Sequence, residues 1–217
     1  GLTIEPLATT TSSSFSADLV APQYVRPGRE VTLRVNYQNL SGSDLGSPLL
    51  NVTSDQEIEW QIPGTAQWVK DTSISLLALS GDGPAGLLQP GEADTVSFKI
   101  RTPLNTDPLN FELFALQADG SGNSNQVIDW DALETQSRPA GLSDEAWAAV
   151  WGEVQAQTGS TWADFVAMLN DNATYLKGVG RTIYDAQSLL AFEVLQANGL
   201  NPEPYLAAGE DAFVAAP

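Results

Sequence analysis

Six oxygen-bearing side chains, Asp119, Ser121, Asn123, Asn125, Asp129 and Asp131, fall within one short stretch. Calcium takes six to eight oxygens at about 2.3–2.6 Å, and a segment softened by Gly120 and Gly122 can supply them. The spacing departs from an EF-hand loop. The glycines are displaced, and Trp130 stands at the twelfth position, where a bidentate Glu is needed. The same run equally suits a solvated linker whose Asp and Asn side chains cap turns and helix starts. In the first reading Asp119, Asn123, Asn125, Asp129 and Asp131 hold calcium and stiffen the segment. In the second they bind backbone alone.

A second candidate is Glu57-Ile58-Glu59-Trp60-Gln61-Ile62 together with Trp68. Exposed planar rings beside carboxylates stack sugars, which makes Trp60 and Trp68 candidate ligand contacts. Yet Ile58, Trp60 and Ile62 share one strand face, the pattern of a core. Glycoside hydrolysis needs only two carboxylates at a set separation, but none of the 27 Asp and Glu lies in a recognisable motif. The chain has no His and no Cys, which removes Ser-His-Asp and Cys-His catalysis, imidazole and thiolate metal sites, and disulfides. With 9 Lys and Arg the formal net charge is −18, so nucleic acid and direct membrane insertion are not expected. No enzyme activity is expected either.

These residues need elements to hold them. Residues 1–17, centred on Thr9-Thr10-Thr11-Ser12-Ser13-Ser14, read as linker or an edge strand. Over 18–118 the hydrophobic period is two: Val31, Leu33, Val35 and Tyr37 alternate with Thr32, Arg34, Asn36 and Gln38. Arg26-Pro27-Gly28-Arg29 starts that strand, and Gln89-Pro90-Gly91-Glu92 starts the strand of Val96, Phe98 and Ile100 in the same way. Phe111, Leu113 and Ala115 alternate with Glu112 and Phe114 in a further strand. Six to eight short strands predict an immunoglobulin-like antiparallel β-sandwich.

Residues 119–142 read as an acidic linker, and 143–217 as a small bundle of three to four helices. Ser143 caps the first, with Trp147, Val150, Trp151 and Val154 on one face. Thr161 with Asp164 opens the second, Thr182 with Asp185 the third, and Asn201-Pro202 a short fourth. The expected fold class is therefore α+β as separate domains. The sandwich carries 12 acids and 6 bases, whereas residues 119–217 carry 14 acids and 3 bases.

The string Pro27-Gly28-Arg29-Glu30-Val31-Thr32-Leu33-Arg34-Val35-Asn36-Tyr37-Gln38-Asn39, with the later Leu88-Gln89-Pro90-Gly91-Glu92, resembles bacterial conserved-repeat and CARDB-type immunoglobulin-like domains of surface proteins. The resemblance covers about half the chain and implies a spacer or adhesive module without a catalytic site to carry over. An abundance of Thr, Ser, Asn and Asp with few Lys adds the expectation of an extracellular or cell-surface location. The chain starts without Met and stops without obvious closure, so a piece of a longer protein is expected. The expected function is a noncatalytic structural or adhesive module of a large exported protein. Its partners would be neighbouring domains or a cell-surface component. The alternatives are a carbohydrate-binding module or a docking module for a basic protein.

Overall fold

Alternation of apolar and polar residues sets the strands, and a long strand near the middle sets their arrangement. The computed structural model describes residues 1–5, 9–138 and 143–199. Eleven strands precede the helices: β1 (Leu2–Glu5), β2 (Thr9–Thr11), β3 (Phe15–Val20), β4 (Tyr24–Val25), β5 (Glu30–Asn39), β6 (Leu45–Gly46), β7 (Leu49–Gln61), β8 (Trp68–Leu77), β9 (Leu87–Leu88), β10 (Ala93–Arg101) and β11 (Leu109–Leu116). A 3-10 turn at Gly122–Asn125 leads to α1 (Trp130–Ser137), α2 (Asp144–Thr158), α3 (Trp162–Gly178) and α4 (Ala186–Ala197). The order, strands first and helices after, is the one the sequence predicts.

Nine strands form one mixed, curled sheet in the order β2-β3-β5-β10-β7-β11-β1-β4, with β8 also paired to β7; β6 and β9 pair separately. The pivot is β7. Its last residues, Glu59 to Gln61, pair with β10, and its first, Leu49 to Ser54, pair with β11. A register shift between Thr53 and Ile58 bends it between these two duties. Where the sequence suggests a sandwich of antiparallel strands, hydrogen bonding runs unbroken through β7, and β1 joins β11 in parallel. Leu33, Val35, Val52, Trp60, Phe98 and Phe111 fill the inside of the curl.

Packing adds detail at three of the expected boundaries. Within 1–17, Leu2 and Ile4 are fully buried on β1, while β2 does lie at a sheet edge. Two alternating apolar residues beside a Thr/Ser run are too short a signal to read as a core strand. Residues 119–142 contain the 3-10 turn and α1, because Trp130 packs edge-on against Trp151 and Phe165, at centroid distances of 5.6 and 6.4 Å. The third boundary is that between sheet and helices. Leu49, Leu77, Leu79, Ala85 and Leu116 belong to the same hydrophobic cluster as Trp147, Leu169 and Leu189. The helix expected from Asn201-Pro202 lies outside the described residues.

Helix starts follow the predicted chemistry at two of three places. Ser143 accepts from the Ala146 N–H, and Thr161 with Asp164 forms a reciprocal capping box. The third helix begins three residues later than Thr182 suggests, with Asp185 as its cap. The cause is the sheet: the Leu77 N–H donates to the Tyr184 carbonyl at 2.8 Å, and Leu76 bridges Asp185, which holds this segment extended along β8.

One face of α3 grips the loop between β8 and β9. Lys177 Nζ donates to the carbonyls of Ser80, Gly81 and Gly83 at 2.9, 3.0 and 2.7 Å. One turn earlier, Thr174 Oγ1 accepts from the Gly86 N–H at 2.9 Å. A Cβ at Gly86 would lie 2.5 Å from the Asn170 carbonyl oxygen, so only glycine lets loop and helix approach. Gly86→Ala is therefore expected to destabilise the protein by about 1–3 kcal/mol, read as a lower urea midpoint at constant m. Gly42→Ala, where nothing lies within 4 Å of the added Cβ, should leave the midpoint nearly in place.

Candidate functional site

Strand register arranges three side-chain rows across β8, β7 and β11 on the face turned away from the strand core. The first row is Leu77, Leu49 and Leu116; the second is Ser75, Asn51 and Phe114; the third is Ser73, Thr53 and Glu112. The leucine row is buried in the cluster shared with the helices. Two residues further along each strand the face turns polar, and Phe114 is 45% exposed. Here sheet and helices diverge around a cavity of about 720 Å³.

Its walls come from several parts of the chain. The second row forms the floor, Leu133 and Gln136 of α1 and Asp185, Gln187 and Leu190 at the start of α4 form one side, and Trp162 closes part of another. Gln117, Ser121 and Asn123 complete the lining. Several of these are held firmly. Asn51 Nδ2 donates to Ser75 Oγ at 2.8 Å, and Gln187 Nε2 donates to the Gln136 carbonyl at 3.0 Å, tying α4 to α1. Ser124, fully buried, accepts from the Gln117 N–H at 2.7 Å, while the Gln117 amide exchanges hydrogen bonds with Ser12 and Ser14. Asn51 Oδ1 and Ser121 Oγ are buried with no partner.

Electrostatically the cavity is neutral to acidic. Among the described residues lining it there is no Lys or Arg, and the carboxylates are Asp71 and Asp185. Asp185 accepts from the N–H and Oγ of Ser188, both at 2.8 Å. Burial nevertheless holds its carboxyl above the usual aspartate range, against the opposing pull of the Ser188 and Gln187 hydrogen bonds. Asp164, the third residue of α3 in the capping box with Thr161, is pushed the other way: the N–H and hydroxyl of Thr161 and the Ser160 N–H stabilise its charge. Two carboxylates at helix starts thus titrate in opposite directions, decided by burial.

The sequence-predicted residues lie elsewhere. Trp60 is fully buried, packed against Phe98 and Phe111 at 6.0 and 5.9 Å, with its Nε1 donating to the Asp71 carbonyl at 3.0 Å. This corrects its reading as a sugar platform, and the reason is the shared face with Ile58, which points into the curl. Trp68 is half-buried on the outer face, where the Arg101 guanidinium sits 4.6 Å from its ring. Arg101 is in turn paired with Glu59 at 2.7 Å and Glu30 at 3.2 Å.

The calcium candidates are strung along a turn, the 3-10 segment and the first turn of α1. Asp119 accepts from the Ser121 N–H at 2.9 Å, and Asp129 caps α1 by accepting from the Ala132 N–H at 3.1 Å. The Asn125 amide lies close over Gly120, Asn123 faces the cavity, and Asp131 stands in the first turn of α1. Among the described residues no three His, Cys, Asp or Glu side chains come together as a metal site. Capping accounts for the partners that Asp119 and Asp129 have.

Sequence reasoning missed the floor of the cavity. Its signal was present in Phe114, an aromatic on the polar face of β11 between Glu112 and Leu116. Asn51 and Ser75 carried none, since pairing across strands is decided by register. Asn39, which opens an Asn39-Leu40-Ser41 sequon, is fully buried, and its amide donates to the carbonyls of Ser43, Leu88 and Gln89.

No known protein family matches the chain, and no curated protein matches it. Among solved structures, AvmM, which catalyses macrocyclization in alchivemycin A biosynthesis, aligns at 14% identity over 54% of this chain and 79% of its own, with a TM-score of 0.36. A GH20 exo-β-N-acetylglucosaminidase from Vibrio harveyi aligns at 18% identity over 42% of this chain and 13% of its own, with a TM-score of 0.26. A PapD-like domain of human CEP192 aligns at 13% identity over 50% of this chain and 88% of its own, with a TM-score of 0.22. Likenesses this weak carry no argument about function.

Two outcomes follow from the capping chemistry. Asp129→Ala should cost about 1 kcal/mol through loss of the α1 cap, and the cost should be the same with and without millimolar calcium in thermal melts. For Asp185, the raised folded pKa means its charged form opposes folding. Its penalty is absent below the unfolded value near 3.8 and grows as pH rises through the folded value. Asp185→Asn keeps a capping oxygen and removes that penalty, so its melting temperature should equal or exceed the parent's at pH 7. Asp185→Ala, lacking the cap, should fall below both.

Proposed function

We propose that the chain is a noncatalytic joining module of a large exported bacterial protein, in which an immunoglobulin-like β part and a helical part act as one stiff unit between neighbouring domains. The observation that carries this reading is the common hydrophobic cluster of Leu49, Leu77 and Leu116 with the helices. A flexible tether would have no such row, whereas a segment that transmits orientation between its ends requires one. The Lys177 grip on the β8–β9 loop adds a polar lock to the same joint.

Composition supports the setting. Lys and Arg number 9 against 27 Asp and Glu, a balance that keeps a surface-displayed chain soluble and repels other acidic chains. The strand grammar shared with conserved-repeat surface domains supports the same placement. Arginine and lysine side chains at the outer face, Lys70, Lys99 and Arg101, are already paired with Glu57, Glu30 and Glu59. They leave this face as a solvated ladder.

Unfolding tests the joint. Tryptophan fluorescence, which reports mainly on Trp130, Trp147, Trp151 and Trp162 in the helices, and far-ultraviolet circular dichroism at the strand minimum should melt together in one transition. Leu116→Ala should lower both by the same amount, with a loss of about 2–5 kcal/mol. Two separated transitions, or a Leu116→Ala effect confined to one signal, would show that the parts are independent and defeat the proposal.

A further inference from the structure

From the row of Ser75, Asn51 and Phe114 and the cavity above it, we infer that the groove between sheet and helices is a binding site for a neutral saccharide chain. This goes beyond the joining role and does not depend on it.

Size comes first: about 720 Å³ lies within the usual range for small-molecule and oligosaccharide clefts. Composition comes second. A saccharide offers hydroxyls at its ring edge and C–H groups on its face, so its site needs amides and hydroxyls beside an accessible aromatic plane. The groove supplies both. Asn51, Ser75 and Gln187 line it together with Phe114, whose ring is 45% exposed.

Unused hydrogen-bonding capacity is the third observation. Asn51 Oδ1 and Ser121 Oγ are buried yet have no protein partner, a state that costs free energy, and a small side-chain shift that turned them to a ligand would recover it. Both residues line the groove. Charge then narrows the ligand. Without Lys or Arg among its described lining residues, and with Asp71 and Asp185 present, the groove opposes phosphate, sulfate and uronate groups. A neutral polyhydroxylated ligand meets every one of these conditions.

Titration of the 217-residue chain with cello-, xylo-, manno- and chito-hexaose, each to about 10 mM, tests the inference by amide NMR, since millimolar affinities are measurable at that concentration. At least one sugar is expected to shift the side-chain amide signals of Asn51 and Gln187. Phe114→Ala should weaken that binding at least tenfold while the melting temperature stays within a few degrees, because the ring is largely outside the core. Ser75→Ala should weaken it less. Three results would overturn the inference: no sugar moves the groove signals, binding survives Phe114→Ala undiminished, or a neutral Gly-Ser peptide used as a control shifts the same amides as strongly as the sugars do. A failed titration alongside a single melting transition would leave the joining role standing, and the reverse result would separate them the other way.

Discussion

Everything in this molecule turns on the start of β7 burying both of its faces. Most strands in a curled sheet hide one side and wet the other, as the buried-exposed alternation along β10 does. At the start of β7, Leu49 and Leu50 are buried on opposite faces, one under the helices and one inside the curl. Each fully buried leucine contributes roughly 1.5–3 kcal/mol, so the row of Leu77, Leu49 and Leu116 is a substantial reason for the helices to stay where they are. The same strand, bent at its register shift, also pairs with β10 at its far end. A single element therefore fixes the curl, the helix seat and the position of the groove.

The remaining interactions make that seat specific. Hydrophobic burial is not directional, and a leucine row alone would let the helices slide. Lys177 donating to three loop carbonyls, Thr174 accepting from Gly86 and the Tyr184 carbonyl continuing the β8 ladder each demand one geometry. Lys177 is also notable in a chain of charge −18: one of its few cations is used on backbone carbonyls, where the loop supplies only partial negative charge. The groove is the remainder of this fit. It opens where the strand face changes from leucine to Ser, Asn and Phe and, among the described residues, no helix side chain fills the gap.

Much of this was legible from residue order. The alternation in Val31 to Tyr37 and in Val96 to Ile100 marks β5 and β10, and both Pro-Gly turns do carry glycine at positive φ, 70° at Gly28 and 74° at Gly91. The capping box at Thr161 and Asp164 marks α3 to the residue. The core role of Trp60 was equally visible in its spacing from Ile58. Hidden from view were β1, whose Leu2 and Ile4 form too short a pattern, and α1, whose helicity depends on Trp130 finding Trp151 and Phe165. The same holds for the groove: Ser75, Asn51 and Phe114 stand tens of residues apart and meet only through register.

Local periodicity, turn chemistry and caps are properties of neighbours along the chain, so the amino-acid order determined which segments become strands and which become helices, and that no imidazole or thiol chemistry is available. Which strand bends to serve two layers, where the helices settle and which side chains end up around an open space depend on contacts between residues far apart in order. Those contacts form only when burying the faces of β7 outweighs the entropy of bringing distant segments together. The tertiary structure alone could decide them.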